Sequence, residues 1–309
     1  MSTNDGADRL LFGKGVLGSG EQLHVYGSLA SDEEAARDRS FVLNWDGSAW
    51  SLAPVEARIC AIASRVVDGE DEVSALAIDG RLHVSRAGLE HWDHLDMSEA
   101  GPNALRHATC LRAIGDDLVA AGMGRMLYVN RGGRRWTRHD DELRVPRDSM
   151  EVAGILAIDG AGIESLVSVG FGGEIWSNAQ GGWHRLESPT NAKLEAVAVV
   201  AEDDIVIAGA AGLIFRGGPR GWVRVDHGLT ADTFWSISLV GDRLLLATGE
   251  GEIFCLTGTV LERVELGVAD HPTSTRWLDG LGARALSVGL NDIWIGTDGS
   301  WTRVATPQD

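Results

Sequence analysis

Residues 194–226 read LEAVAVVAEDDIVIAGAAGLIFRGGPRGWVRVD. The segment has four short parts. Apolar 194–201 is followed by an acidic turn, then by an apolar run that closes on Gly209, then by an aromatic-bearing strand at Phe215. A Gly-rich turn leads to a last strand opened by Trp222. Short β-branched apolar runs bounded by turn residues read as strands, and the inner ones are too uniformly apolar to have a wet face. The unit recurs at 234–266 (FWSISLVGDRLLLATGEGEIFCLTGTVLERVEL) and at 276–306 (RWLDGLGARALSVGLNDIWIGTDGSWTRVAT).

The opening residue of the fourth strand marks the period. It falls at Trp50, Trp92, Trp136, Trp183, Trp222, Leu261 and Trp301, at spacings of 42, 44, 47, 39, 39 and 40. A repeat of about 40–45 residues is that of a four-stranded propeller blade. The prediction is an all-β, seven-bladed β-propeller with four antiparallel strands per blade. Its blades span about 9–54, 55–96, 105–140, 149–187, 193–226, 233–266 and 275–306, as one domain over 9–309. The first blade starts on its own first strand and the last ends on its own fourth, so no blade is split between the termini. Closure would then rest on side-chain packing between blades one and seven. Residues 1–8 are too polar to add a strand and read as a disordered tail. The acidic run SDEEAARD at 31–38 is the one stretch with helical spacing, an excursion within blade one.

Seven residues before the marker stands a second aromatic, at Trp176, Phe215, Phe254 and Trp294. Strands three and four form a hairpin, so the two positions are expected to meet as a cross-strand pair between blades.

The turns before the markers resemble the Asp-box hairpin. The residues are Thr297-Asp298-Gly299-Ser300-Trp301 and Asp46-Gly47-Ser48-Ala49-Trp50, with looser copies at 130–136 and 178–183. In layout the chain is similar to BNR-type propellers, including the photosystem II assembly and stability factor-like group and the sialidase-like group. WD40 and kelch signatures do not recur. The sialidase resemblance implies an arginine triad, a tyrosine nucleophile and an acid. Tyr26 and Tyr128 are the two tyrosines, and neither stands where that chemistry needs one.

The net charge of −18 repels nucleic-acid phosphates and anionic membrane surfaces, so neither is an expected partner. No secretory leader or membrane-length apolar stretch is read in the chain. Cys60, Cys110 and Cys255 are odd in number and far apart, which fits free thiols and a cytoplasmic setting. No metal site is expected. His91 and His94 point to opposite faces of a strand, and the acidic runs at 140–142 and 202–204 lack calcium-loop spacing. No nucleophile elbow or phosphate loop is present, Gly170-Phe171-Gly172-Gly173 reads as a hairpin turn, and no cofactor is expected.

Propellers bind on loops at one end of the channel, and the sequence gathers basic groups at the starts of the first strands. Arg58, Arg106, His107, Lys193 and Arg276 stand there, with Phe234-Trp235 and Arg276-Trp277 at like places in blades six and seven. Arginine and aromatic groups in a recess are what interface hot spots are made of. The reading is a non-catalytic protein-binding propeller, a scaffold, assembly factor or inhibitor. Its partner is basic, or presents an acidic segment to this rim. One alternative is an immunity protein that neutralises a basic toxin or effector. Another is a glycosidase or lyase using Glu151 and Glu195. A lectin with one sugar site per blade fits less well, because the repeats have diverged.

Overall fold

The computed structural model describes residues 9–30, 38–99, 107–133, 135–146, 149, 151–266 and 271–309. Calls on residues 1–8, on 31–37 of the acidic run and on the start of blade three at 105–106 lie outside them. Strands β1 to β28 form seven four-stranded sheets, each of four consecutive antiparallel strands. The innermost strands are β1 (Leu10–Leu17), β5 (Ile59–Val67), β9 (Ala108–Ile114), β13 (Ile155–Gly160), β17 (Leu194–Ala201), β21 (Ser236–Val240) and β25 (Trp277–Leu281). The outermost range from six residues, as in β4 (Trp50–Val55) and β8 (Leu89–His94), to two, as in β12 (Thr137–Arg138). The expected fold is the observed one, with no blade split.

The core lies between blades. Its seven apolar clusters each join two neighbours, from blades one and two around to seven and one. The second strands are buried on both faces. β18 (Asp204–Gly209) and β14 (Leu166–Gly170) are buried almost throughout, which is why they read as unbroken apolar runs.

The marker tryptophans do more than fill space. Trp183 Nε1 donates to His139 O at 2.9 Å, and Trp222 Nε1 donates to Glu187 O at 3.0 Å. Trp50 Nε1 donates to Ala305 O at 2.6 Å. Each bond reaches the end of the preceding blade's outer strand, and the third crosses the seam between blades seven and one. Trp92 departs from the expected packing. It is 47% exposed and lies against His83 and Arg81 on the outer rim.

Packing was expected to close the ring, and hydrogen bonds join it. Phe12 N donates to Leu290 O at 2.9 Å, and Leu17 N donates to Asp279 Oδ2 at 2.9 Å. The Gln308 amide both accepts from Leu10 N and donates to Leu10 O.

The aromatic pair needs correction. Trp176, Phe215, Phe254 and Trp294 stand directly opposite Arg185, Arg224, Arg263 and Arg303, two residues beyond the marker. The marker is therefore the diagonal neighbour, and the two rings share a cluster without sitting in one rung. Asp46 Oδ1 accepts from Ser48 N, Ala49 N and Ser48 Oγ at 2.8–2.9 Å, bonds that hold its carboxyl below its ordinary value.

Glycine closes the second strand for a steric reason. A Cβ at Gly209 would lie 2.2 Å from Lys193 O, and Gly122, Gly170 and Gly289 meet a carbonyl at 2.0–2.3 Å in the same way. These carbonyls precede the first strand of the same blade, so the close approach seats the interblade crossing. Gly209→Ala is expected to cost roughly 1–3 kcal/mol in urea unfolding. Gly162→Ala, with open space around it, is expected to stay within about 0.5 kcal/mol.

Candidate functional site

Antiparallel order puts the starts of the first strands, the second-to-third turns and the interblade crossings at one end of the ring, the crossover end. The other end carries the first-to-second and third-to-fourth hairpins. At the crossover end a cavity of about 310 Å³ opens into the channel, walled by residues of β1, β9, β13, β17 and β25 and by Trp235.

Lys14 Nζ stands 4.6 Å above the Trp277 ring, and the Arg276 guanidinium stands 4.9 Å above the Trp235 ring. Both indoles are half-buried, and Trp277 is fixed by its Nε1 donating to Gly15 O at 2.7 Å. Arg58 is exposed nearby, close enough to act with Arg276 on the Tyr26 phenol. Among the described residues none of Lys14, Arg58 and Arg276 forms an ion pair. Lys193 does, holding Glu195 at 2.6 Å while lying over Phe171. Lys14 Nζ also donates to Thr109 O at 3.4 Å, so among the described residues the mouth carries three cations with no ion-pair partner, in a chain of net charge −18.

The structure places the other sequence candidates as follows. His107 is exposed at the start of blade three, with its carbonyl bonded to Met123 N. Arg106 lies outside the described residues. Phe234 is wholly buried against Phe254 and His227, so it is core and not binding surface. The sequence alignment of the two doublets was off by one. Ser236 pairs with Ala247 as Trp277 pairs with Val288, so Trp235 corresponds to Arg276. That shift is what lays Arg276 on the ring of the neighbouring blade.

Two residues belong to the mouth that the sequence reading left out. Lys14 follows the unremarkable run LLFG, and only β1 pairing turns it into the channel. Tyr26 lines the cavity, against the expectation that it stands apart, and its ring lies over Gly13. Its hydroxyl donates to Cys60 O at 3.0 Å, and burial pushes the phenol far above its ordinary value. Tyr128 is buried and donates to Asp96 O.

The channel is pinned at its waist. Arg112 Nε lies 3.4 Å from Asp159 Oδ1, and Asp279 lies close enough to act on Arg112 from across the channel. Asp159 also accepts from Val199 N at 2.8 Å, while burial raises Asp279 above its ordinary value.

The two carboxylates expected as a pair, Glu151 and Glu195, are each taken up by a cation. Glu195 is bound to Lys193, and Glu151 is held by Arg125, which also clamps Glu174. Arg125 is buried in a left-handed turn at φ 56 and lies 5.2 Å from the Trp176 ring centre. The 140–142 run is likewise a latch. Asp140 is buried and accepts from Arg138 and Arg144, while Glu142 accepts from Trp183 N across blades.

Three thiols are unbridged. Burial pushes Cys60 up to about 12 and Cys110 up to about 11. Neither is expected to react with a thiol reagent at pH about 8 in the folded protein, and both should react once it is unfolded. Counting modified thiols by mass checks this. Among the described residues no group of histidine, cysteine and carboxylate side chains could hold a metal, and no helix is long and apolar enough to cross a membrane.

No family model matches the chain. It is 27% identical over 289 residues to the Immune protein Tsi7 of Pseudomonas aeruginosa, covering 91% of this chain and 93% of the relative. In structure it is similar to YCF48 from Cyanidioschyzon merolae, with a TM-score of 0.69 at 12% identity over 93% of this chain and 95% of that one. YCF48 bound to D1 peptide gives 0.66 at 12% identity, covering 96% and 92%. The WD40 propeller domain of Doa1 gives 0.63 at 10% identity, covering 99% and 98%. At those identities the structural likenesses speak for the fold alone. The chain is a seven-bladed β-propeller, similar over nearly its whole length to an immune protein.

Proposed function

We propose that the chain is a non-catalytic, protein-binding propeller of the immunity type, which neutralises a partner effector by holding it at the crossover end. The observation that carries this is the mouth itself. Cations in an acidic protein normally find carboxylates, yet Lys14, Arg58 and Arg276 rest on indoles or face solvent. A carboxylate-bearing segment of a partner would meet charge-assisted donors beside two aromatic walls. The similarity to an immune protein supports the same reading. With three unbridged cysteines, we place this action in the cytoplasm.

The test is co-expression with any toxic effector found encoded beside this chain. Restored growth, and co-elution of the two proteins, is the expected result. Unrelieved toxicity with both proteins expressed would refute the reading.

A further inference from the structure

The hairpin end of the ring is rich in carboxylates that have no ion pair. Glu21, Glu70, Asp116, Asp117, Glu202 and Asp242 lie in or beside its first-to-second turns, and among the described residues none of the six forms an ion pair. Two cations, Arg243 and Arg284, share those turns. The second of them is directed to Gly18 O and Gly20 O of blade one.

The same end exposes apolar side chains. Val66 is 55% exposed, Val200 37%, Leu239 42% and Leu281 49%. All four stand at or one residue from the end of an inner strand, in β5, β17, β21 and β25. The turns of blades six and seven are tied by Gly241 N donating to Gly282 O at 2.6 Å, so Leu239 and Leu281 stand on adjoining strand ends. Leu281 also lines the second channel cavity, of about 220 Å³, with Val16, Leu17 and Ala113. One exposed leucine is ordinary, but an apolar group around a recess with a charged rim marks an interaction surface.

We propose that the hairpin end is a docking surface for a basic protein segment bearing apolar side chains. Charge complementarity chooses that occupant. Phosphate-bearing or acidic partners are repelled by the six carboxylates, while lysine and arginine are steered toward them. Leu239 and Leu281 then supply the desolvated centre that long-range attraction alone lacks. The proposal rests on the protein-binding reading but uses the opposite face, so the two can fail separately.

The test uses a fluorescent peptide of alternating lysine and leucine, titrated by anisotropy into the full chain at low salt. Leu239→Ser with Leu281→Ser is expected to weaken binding about tenfold or more, and Glu202→Lys with Asp242→Lys to do likewise. Trp235→Ala should leave it unchanged, and an all-lysine peptide should bind about tenfold more weakly. The leucine and carboxylate substitutions, all at exposed positions, should not alter thermal unfolding, which is measured alongside. An affinity unmoved by the leucine substitutions, equal for both peptides, or lost in the tryptophan variant would overturn the proposal.

Discussion

Replacing Trp235 and Trp277 together with alanine is expected to weaken effector binding about a hundredfold, near 2.7 kcal/mol. The indoles are the large rigid surfaces at the mouth, and each orients a cation. Their removal would cost contact area and also free Arg276 and Lys14 to sample solvent. The two rings differ in what else they do. Trp277 packs against the blade one and seven cluster and is bonded to Gly15 O, so its loss also costs stability. Trp235 is in none of the seven clusters. Trp235→Ala alone is therefore the cleaner variant, with weakened binding by calorimetry and a nearly unchanged melting curve. A normal affinity in that variant would remove the mouth from the account.

Arg125→Ala is expected to destabilise the fold by about 3–5 kcal/mol, the cost of breaking a buried pair from one side. Arg125 bonds Glu174, Glu151 and Leu143 O and lies against Trp176, between blades three and four. Burial pushes the Glu174 carboxyl upward, but the hydrogen bonds and charge of Arg125 prevail and hold it below its ordinary value. A depressed carboxyl stabilises the fold above its unfolded pKa, and that contribution is lost as pH falls through the folded value. Without Arg125, only the Trp176 N–H and the more distant Arg185 would oppose burial, and acid would relieve the buried charge. The stability gap between wild type and variant should thus be widest near neutral pH and narrow in acid. Urea unfolding at both conditions reads it, and a pH-independent gap would contradict this sign.

The ring was readable because its signal is periodic. A bulky apolar marker every 39 to 47 residues, tryptophan in six of the seven copies, with Gly closing the second strand, leaves few other architectures. The tryptophan spacing did not reveal that Trp50 would bond Ala305 across the seam, because that contact depends on ring closure. Phe234 and Trp235 looked equivalent as neighbours in a loop. The pleat sends one into the blade interface and the other to the channel, and a one-residue shift of register decides which. Arg125 carried no pattern at all, since a buried arginine in a left-handed turn is specified by partners about 18 to 49 positions away. The recurring arginine at 185, 224, 263 and 303 was open to sequence reading, as were the acidic first turns. Both needed charges to be counted by place in the repeat and not over the whole chain.

The central claim is that a protein partner is held at the crossover end of the ring. Hydrogen exchange of the chain with and without its effector tests it most directly. The account predicts slowed exchange in peptides covering 12–15, 233–237 and 274–278, around Lys14, Trp235, Arg276 and Trp277. Slowed exchange confined to the outer strands β4 and β8, with the mouth unchanged, would contradict it.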